Sequence, residues 1–519
     1  VSSVADHQAP GTSSGTSSGT STGTGTAGRP APHAPHSPQA TQGSSGTGLL
    51  IGLLVASAFV VILNETIMSV ALPDLMLEFS VGASTAQWIT TAFMLTMAVV
   101  IPVSGYLLTR LPLRTVFVLA MSLFSAGTLL SMLAPAFGVL VLGRVVQASG
   151  TAVMMPLLIT TVMTVVAPEH RGRMMGTISI VISVAPAIGP TISGLILQSL
   201  SWRWMFGFVL PIALVALVAG ARWVRNVTEP RAVPLDVLSV ALSALGFAGL
   251  IYGLVSIGES GDAPLPLWLP LTVGGVALAC FVARQLALGD RALMDLRTFA
   301  SPTFSLSIVL TAVVMAALFG TLVLLPLFLQ QALELDVLTT GLVLLPGGLV
   351  MGLLAPLVGR AYDAYGPRPL LPPGVALTCA ALWLMSTLDT GSSIPAVIGM
   401  HVLMSLGLAL AFTPLMTTAL AAVPPHLYSH GSAIFGTVQQ VAGAAGTALF
   451  VTLLSRESAA SLAAGSSVTE AVASGAHTAL VWGGIISAVA VVLSLAVRRS
   501  PAAQDVEGTD DSPRPVGAH

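Results

Sequence analysis

The chain has 519 residues, of which 54% are hydrophobic and only 8% charged. Soluble domains carry roughly 25% charged residues, so the composition excludes an ordinary soluble enzyme and, lacking basic patches, a nucleic-acid binder. The net charge is −2 and all 19 basic residues are arginine, which points to GC-rich codon usage rather than to a partner.

Residues 1–47 are mostly Ser, Thr, Gly, Ala and Pro. Such a segment buries too little apolar surface to offset its ordering entropy and reads as a disordered tail. It lacks a charged region followed by an apolar core, so it is not read as a signal peptide. A bilayer span needs ~20 mostly apolar residues. Fourteen such stretches follow, at about 49–72, 86–108, 114–134, 137–166, 174–198, 203–224, 236–257, 265–285, 303–330, 338–361, 369–388, 394–422, 431–454 and 477–498. A shorter acidic tail occupies 500–519. Cys280 and Cys379 both lie in apolar runs, which argues against a disulfide framework or a thiolate metal site.

Arginine placement supports the count of fourteen. With both ends cytoplasmic, sixteen arginines fall on the inner side, Arg203 and Arg456 on the outer side, and Arg144 inside a span. That is the expected inside bias, and an odd number of spans would scramble it. Trp88, Trp202, Trp204, Trp223 and Trp268 fall near span ends, where interfacial aromatics belong.

The sequence also repeats internally. Span 4 from Gly150 and span 12 from Gly407 share Gly150/Gly407, Ala152/Ala409, Leu158/Leu415, Thr160/Thr417, Thr161/Thr418, Val166/Val423 and Pro168/Pro425 at one offset. The segments that start at Gly105 and Gly359 agree at nearly the same offset. Spans 1–6 and 9–14 therefore read as related six-helix bundles, with spans 7 and 8 inserted. The expected organisation is a tail at 1–47, a bundle at 48–228, two linker helices at 229–300, a second bundle at 301–499 and a tail at 500–519.

Four motifs stand out. Span 1 carries LNETIMSVALP, Leu63 to Pro73, with Asn64 and Glu65 inside it. The loop after span 2 keeps Gly105, Arg110 and Arg114 but has Thr109 and Pro112; its second-half copy has Gly359, Asp363, Gly366 and Arg368. Span 4 carries Arg144, Gln147, Gly150 and Ala152. Span 5 carries APAIGPTISGLIL, with Gly189, Pro190 and Gly194.

These motifs, over about residues 48–499, resemble the fourteen-helix drug:proton antiporters of the major facilitator superfamily. The Asn-Glu variant in span 1 is similar to the lincomycin-resistance-type branch, where the usual family pattern has Asp in the place of Asn64. The resemblance implies an all-α integral membrane fold of two six-helix bundles plus two inserted helices, with the substrate site between the halves. It implies that the Gly105 and Gly359 loops latch the cytoplasmic side and that Gly189, Pro190 and Gly194 seal against leak. The plainer reading of those three residues is close helix packing and a kink. The implied setting is a bacterial plasma membrane, with a small-molecule drug or natural product and protons as partners, no cofactor and a monomeric chain.

The buried charges carry the chemistry. Glu65 is the one acidic residue read well inside a span, and an intramembrane ionisable group is a functional candidate by default. Arg144 is the one buried base. Both lie about seven residues from the outer span ends, or ~10 Å deep at 1.5 Å per residue, so they can meet directly or through Gln147. Burial and a nearby arginine act on the Glu65 carboxyl in opposite directions, as a switchable proton site requires. Asn64, Met68, Gln439 and Gln440 are candidate cavity residues; each also fits ordinary helix packing. Thr160, Thr161, Thr417 and Thr418 are expected to bond their own helix carbonyls. His401 lies near an outer end with no evident partner.

With no lysine there is no phosphate-binding loop of the Gly-x-x-x-x-Gly-Lys type, so the energy source is a gradient. The resemblance, together with these residues, implies a proton-driven exporter and not an enzyme. A proton-coupled symporter or facilitator for a metabolite remains open, as does, more remotely, a non-transporting membrane sensor.

Overall fold

The computed structural model describes residues 44–497, apart from 228–229, 231–233, 259–265 and 267. The expected tails lie outside these residues, except that 44–47 already belong to the first helix. Among the described residues there is no strand, and the α-helices are α1 (Ser44–Ile67), α2 (Leu72–Phe79), α3 (Ala83–Arg110), α4 (Leu113–Met132), α5 (Phe137–Val165), α6 (Arg171–Leu197), α7 (Arg203–Trp223), α8 (Val237–Gly258), α9 (Trp268–Leu288), α10 (Pro302–Gln331), α11 (Val337–Tyr365), α12 (Leu371–Met385), α13 (Ile394–Ala421), α14 (Tyr428–Ala463) and α15 (Val468–Ser494). Helices dominate because each satisfies its own backbone polar groups where lipid offers no partners.

Each of the fourteen apolar stretches coincides with a helix. Twelve helices among the described residues are long and apolar enough to cross a membrane, and α12 is a shorter apolar helix; α6, with 27 residues, accounts for the remaining stretch. Two boundaries differ from expectation. The first stretch does not run to residue 72 as one helix: α1 ends at Ile67, a 3-10 turn covers Met68–Ala71, and the short α2 follows with Pro73 in its first turn. Proline there is pre-set for a helix start. In addition, α14 has 36 residues, or ~54 Å at 1.5 Å per residue, well beyond a ~30 Å hydrocarbon core. Arg456 therefore lies on the projecting end of α14, not in an outer loop.

The packing follows the repeat. In the first half α5 packs against α3 and α4, and α4 against α7; in the second, α13 packs against α11 and α12, and α14 against α10 and α15. The halves meet along two seams, α6 with α11 and α3 with α14. The inserted α8 and α9 pair with each other, and α8 lies against both α3 and α14. Glycines set the closest approaches. A Cβ on Gly150 would fall 2.3 Å from the Ala120 carbonyl, and one on the repeat partner Gly407 would fall 2.6 Å from the Thr378 nitrogen.

Four of the five tryptophans expected at span ends are exposed: Trp88, Trp204, Trp223 and Trp268. Trp202 is the exception. It is 2% exposed, packs against Phe79 and Phe206, and donates its indole N–H to Glu78 at 2.5 Å. A buried indole needs such an acceptor. Glu78 also pairs with Arg203 at 2.5 Å. Partial burial pushes the Glu78 carboxyl up, but the Arg203 and Trp202 hydrogen bonds outweigh it and hold the group below the usual range.

Candidate functional site

The buried polar centre of the first half is built on Arg144, which is 1% exposed inside α5. Its Nη1 donates to Gln147 Oε1 at 2.6 Å and to Asn64 Oδ1 at 3.2 Å. Gln147 passes the chain on, donating to Thr128 Oγ1 at 2.7 Å, and Thr128 donates to the Phe124 carbonyl of α4. The guanidinium also sits 4.1 Å from the centroid of the Phe93 ring on α3. One arginine thus ties α1, α3, α4 and α5 together at a site that excludes water, where cation–π attraction is at its strongest. The network is not saturated: Arg144 Nε and Asn64 Nδ2 are buried without partners.

Glu65 is half-buried. Among the described residues no ion pair links it to Arg144; the two charges act on each other at longer range. The neighbour that reaches Arg144 is Asn64, because one residue is a rotation of 100° around a helix. The arginine's hydrogen bonds are therefore met by neutral amide acceptors, and its charge is not paired with the Glu65 carboxylate.

The span-5 motif closes against this same segment. A Cβ on Gly189 would fall 2.3 Å from Thr66 Oγ1, so only a bare backbone lets α6 approach the end of α1 here. Ser193 donates to the Ile67 carbonyl at 3.0 Å. Gly194 does not share this role, since a Cβ there would meet nothing within 4 Å. The side chain of Pro190 lies outside the described residues.

Hydrogen bonds between the halves cluster at the arginine-rich end of the helices. Asp363, in the last turn of α11, accepts from the backbone N–H groups of Gly172 (2.6 Å) and Arg173 (2.8 Å) at the start of α6. A carboxylate at a helix N-terminus meets both free donors and the dipole. Gly172 and Gly359 permit the contact: a Cβ on Gly359 would fall 2.2 Å from the Gly172 carbonyl. In the first-half copy Thr109 stands where Asp363 stands in the second, and its Oγ1 lies 3.0 Å from Ser429 Oγ on α14. Gly105 is buried against the same turn of α14. The loops differ as well. Gly366 ends α11 at φ +75°, a conformation that glycine favours, while Pro112, at φ −58°, opens α4. Arg110, Arg114 and Arg368 are exposed.

Sequence reasoning missed Arg171 and Tyr428. Arg171 donates to the Met163 and Val166 carbonyls at the end of α5 and to the Tyr428 hydroxyl at 3.2 Å. Their spacing in the repeat was the available signal. Thr160 and Thr418 also depart from expectation: Thr160 bonds Ser432 across the halves at 2.8 Å, and Thr418 donates to the Tyr362 hydroxyl at 3.1 Å. Thr161 and Thr417 do bond their own helix.

The cavity candidates divide. Met68 is fully buried in the core, held there by the 3-10 turn, and so lines no open space. Gln439 and Gln440 are half-buried on α14; Gln439 donates to the Met315 sulfur at 3.8 Å, while Gln440 Nε2 has no partner.

The sequence profile of the Major Facilitator Superfamily matches residues 54–447. The lincomycin resistance protein LmrB of Listeria monocytogenes is 40% identical over 450 residues, covering 86% of this chain and 95% of that protein. The lincomycin resistance protein of Bacillus subtilis is 38% identical, over 78% and 85% of the two chains. A multidrug resistance protein B homolog of Mycobacterium tuberculosis is 29% identical, over 78% and 75%. Among solved structures, the human organic anion transporter MFSD10 superposes with a TM-score of 0.65 at 14% identity, covering 86% of this chain and 99% of that one. The proton:xylose symporter XylE gives 0.60 at 14% identity, over 88% and 96%.

Proposed function

This chain belongs to the Major Facilitator Superfamily, and from that premise we propose that it exports drugs or natural products in exchange for protons across the plasma membrane. It is a multi-pass membrane transporter of small molecules. Efflux is the reading that the relatives named for lincomycin and multidrug resistance support. Proton exchange rests on one observation: Glu65 is half-buried beside an arginine whose hydrogen bonds go to Asn64 and Gln147 instead.

The arginine-rich face is cytoplasmic in this reading, by the arginine bias. With the Asp363 and Thr109 contacts made, the inner end is closed and the outer end admits protons. Glu65 takes up a proton from outside. Neutralising it removes the long-range attraction to Arg144 and biases the halves toward the inward-open arrangement. There Glu65 releases its proton and drug enters. Gly189 keeps α6 tight against the Glu65 segment, which prevents a leak through the site. Gln439 and Gln440 offer polar contacts to the drug from α14.

A drug-susceptibility panel in a pump-deficient host tests the efflux reading. The wild-type chain is expected to raise resistance to lincomycin or another agent, and Glu65→Gln to abolish it. A symporter would instead move its substrate inward under an outside-acid gradient, and a facilitator's flux would not depend on that gradient.

A further inference from the structure

The two halves align in sequence at nearly the same offset along their length, and the helices keep it. Phe137 and Ile394 begin α5 and α13, 257 positions apart, and Gly150 and Gly407 make the matching close approaches. At this offset Arg144 falls on His401. The neighbouring helices repeat at 254, the spacing of Gly105 and Gly359, and at that offset Phe93 falls on Gly347. Both contacts are present. Arg144 lies over the Phe93 ring, and His401 packs onto Gly347, where a Cβ would fall 2.3 Å from the imidazole carbon Cδ2. His401 is thus the second-half occupant of the place that Arg144 holds in the first half.

We propose that His401 is a second proton-binding site of the transport cycle, in the place that Arg144 holds in the first half. The proposal rests on the proton-exchange reading given above. An arginine cannot give up its proton, whereas an imidazole gains and loses one within the physiological range. The ring is half-buried, and its Nδ1 is fully buried without a hydrogen-bond partner. Ser405 Oγ crowds the same face of Gly347, and the Leu344 backbone hydrogen-bonds the ring.

The helices packed around His401 bring it no fixed counter-ion. On α13 itself His401 is the only titratable side chain, α10 has none, and α12 has only Cys379, whose thiol donates to the Gly484 carbonyl. Those of α11 are Arg360, Tyr362, Asp363 and Tyr365, and those of α6 are Arg171 and Arg173, all at the arginine-rich end. On α14 they are Tyr428, His430, Arg456 and Glu457. None of these charges acts on the ring. A proton taken up here is balanced only by conformational change or by its release, which is the behaviour a coupling site needs.

The test uses the full chain in liposomes, with two readouts. The first is proton uptake without substrate on acidification, counted with a pH indicator. The second is lincomycin export driven by an outside-acid gradient, divided by gradient-free counterflow. His401→Gln is expected to lose uptake of about one proton on acidification and to lower the flux ratio. His401→Asn serves if the Gln variant does not purify as a folded protein. Unchanged uptake, or lost uptake with an unchanged flux ratio, overturns the assignment. Glu65→Gln is run in parallel. If it keeps the wild-type ratio, the Glu65 coupling reading fails while a His401 effect stands; if the wild type shows no gradient dependence, both fall.

Discussion

Arg171 and Tyr428, the first residues of α6 and α14, occupy equivalent places in the two halves and are bonded to each other at 3.2 Å. They mark where the repeat axis meets the arginine-rich end. Around them the lock is unequal. One seam carries a carboxylate on a helix N-terminus; the other carries a hydroxyl pair.

That inequality is testable by exchange. A hydrogen bond to a charged group contributes about 1.5–3 kcal/mol, against about 0.5–1.5 for a neutral one. Asp363→Asn is therefore expected to speed amide hydrogen exchange at Gly172 and Arg173 markedly, while Thr109→Val changes the start of α14 less. Thr109→Asp, which places a carboxylate at the start of α14, is expected to slow exchange there.

The span-5 glycines provide an internal control. Gly189→Ala drives a Cβ into Thr66 and is expected to cost about 1–3 kcal/mol, as overpacking does. Gly194→Ala meets open space and should stay within about 0.5 kcal/mol of wild type. Thermal unfolding in nanodiscs measures both.

Arg144→Lys separates charge from geometry. Lysine keeps the charge but lacks the planar fork that reaches Asn64 and Gln147 and stacks on Phe93. The variant is expected to lower both Tm and export. Asn64→Leu, which removes only one acceptor, should lower Tm while leaving the Gln147–Thr128 link intact. Transport assays and thermal unfolding on the same preparations distinguish the two.

The inserted pair has its own pH signature. Arg284, at the end of α9, bonds Asp236 at 2.6 and 2.8 Å and holds its carboxyl well below the usual range, with help from Ser239 and against the cost of burial. A depressed carboxyl adds stability above its unfolded value and loses it as pH falls through the folded one. The Tm gap between wild type and Asp236→Asn should thus be full at neutral pH and begin to close below about pH 4, the ordinary aspartate range.

The fourteen apolar stretches were legible as helices because lipid demands long apolar runs. The repeat was legible from Gly150 and Gly407, whose close packing leaves little freedom to the residue type. Helix rotation was not legible. It decided that Asn64, and not Glu65, meets Arg144, and that Trp202 turns inward to Glu78. The break at 68–71 was marked only by Pro73, and the contacts across the halves depend on which residues face the seams, which composition does not encode.

The central claim is that Glu65 couples proton entry to export. Full-length protein in liposomes, loaded with lincomycin and given an outside-acid gradient, tests it most directly. The account predicts gradient-driven export by the wild type, and by Glu65→Gln only the gradient-independent exchange that persists when the gradient is collapsed. Export by Glu65→Gln that still rises with the gradient to the wild-type rate would contradict it.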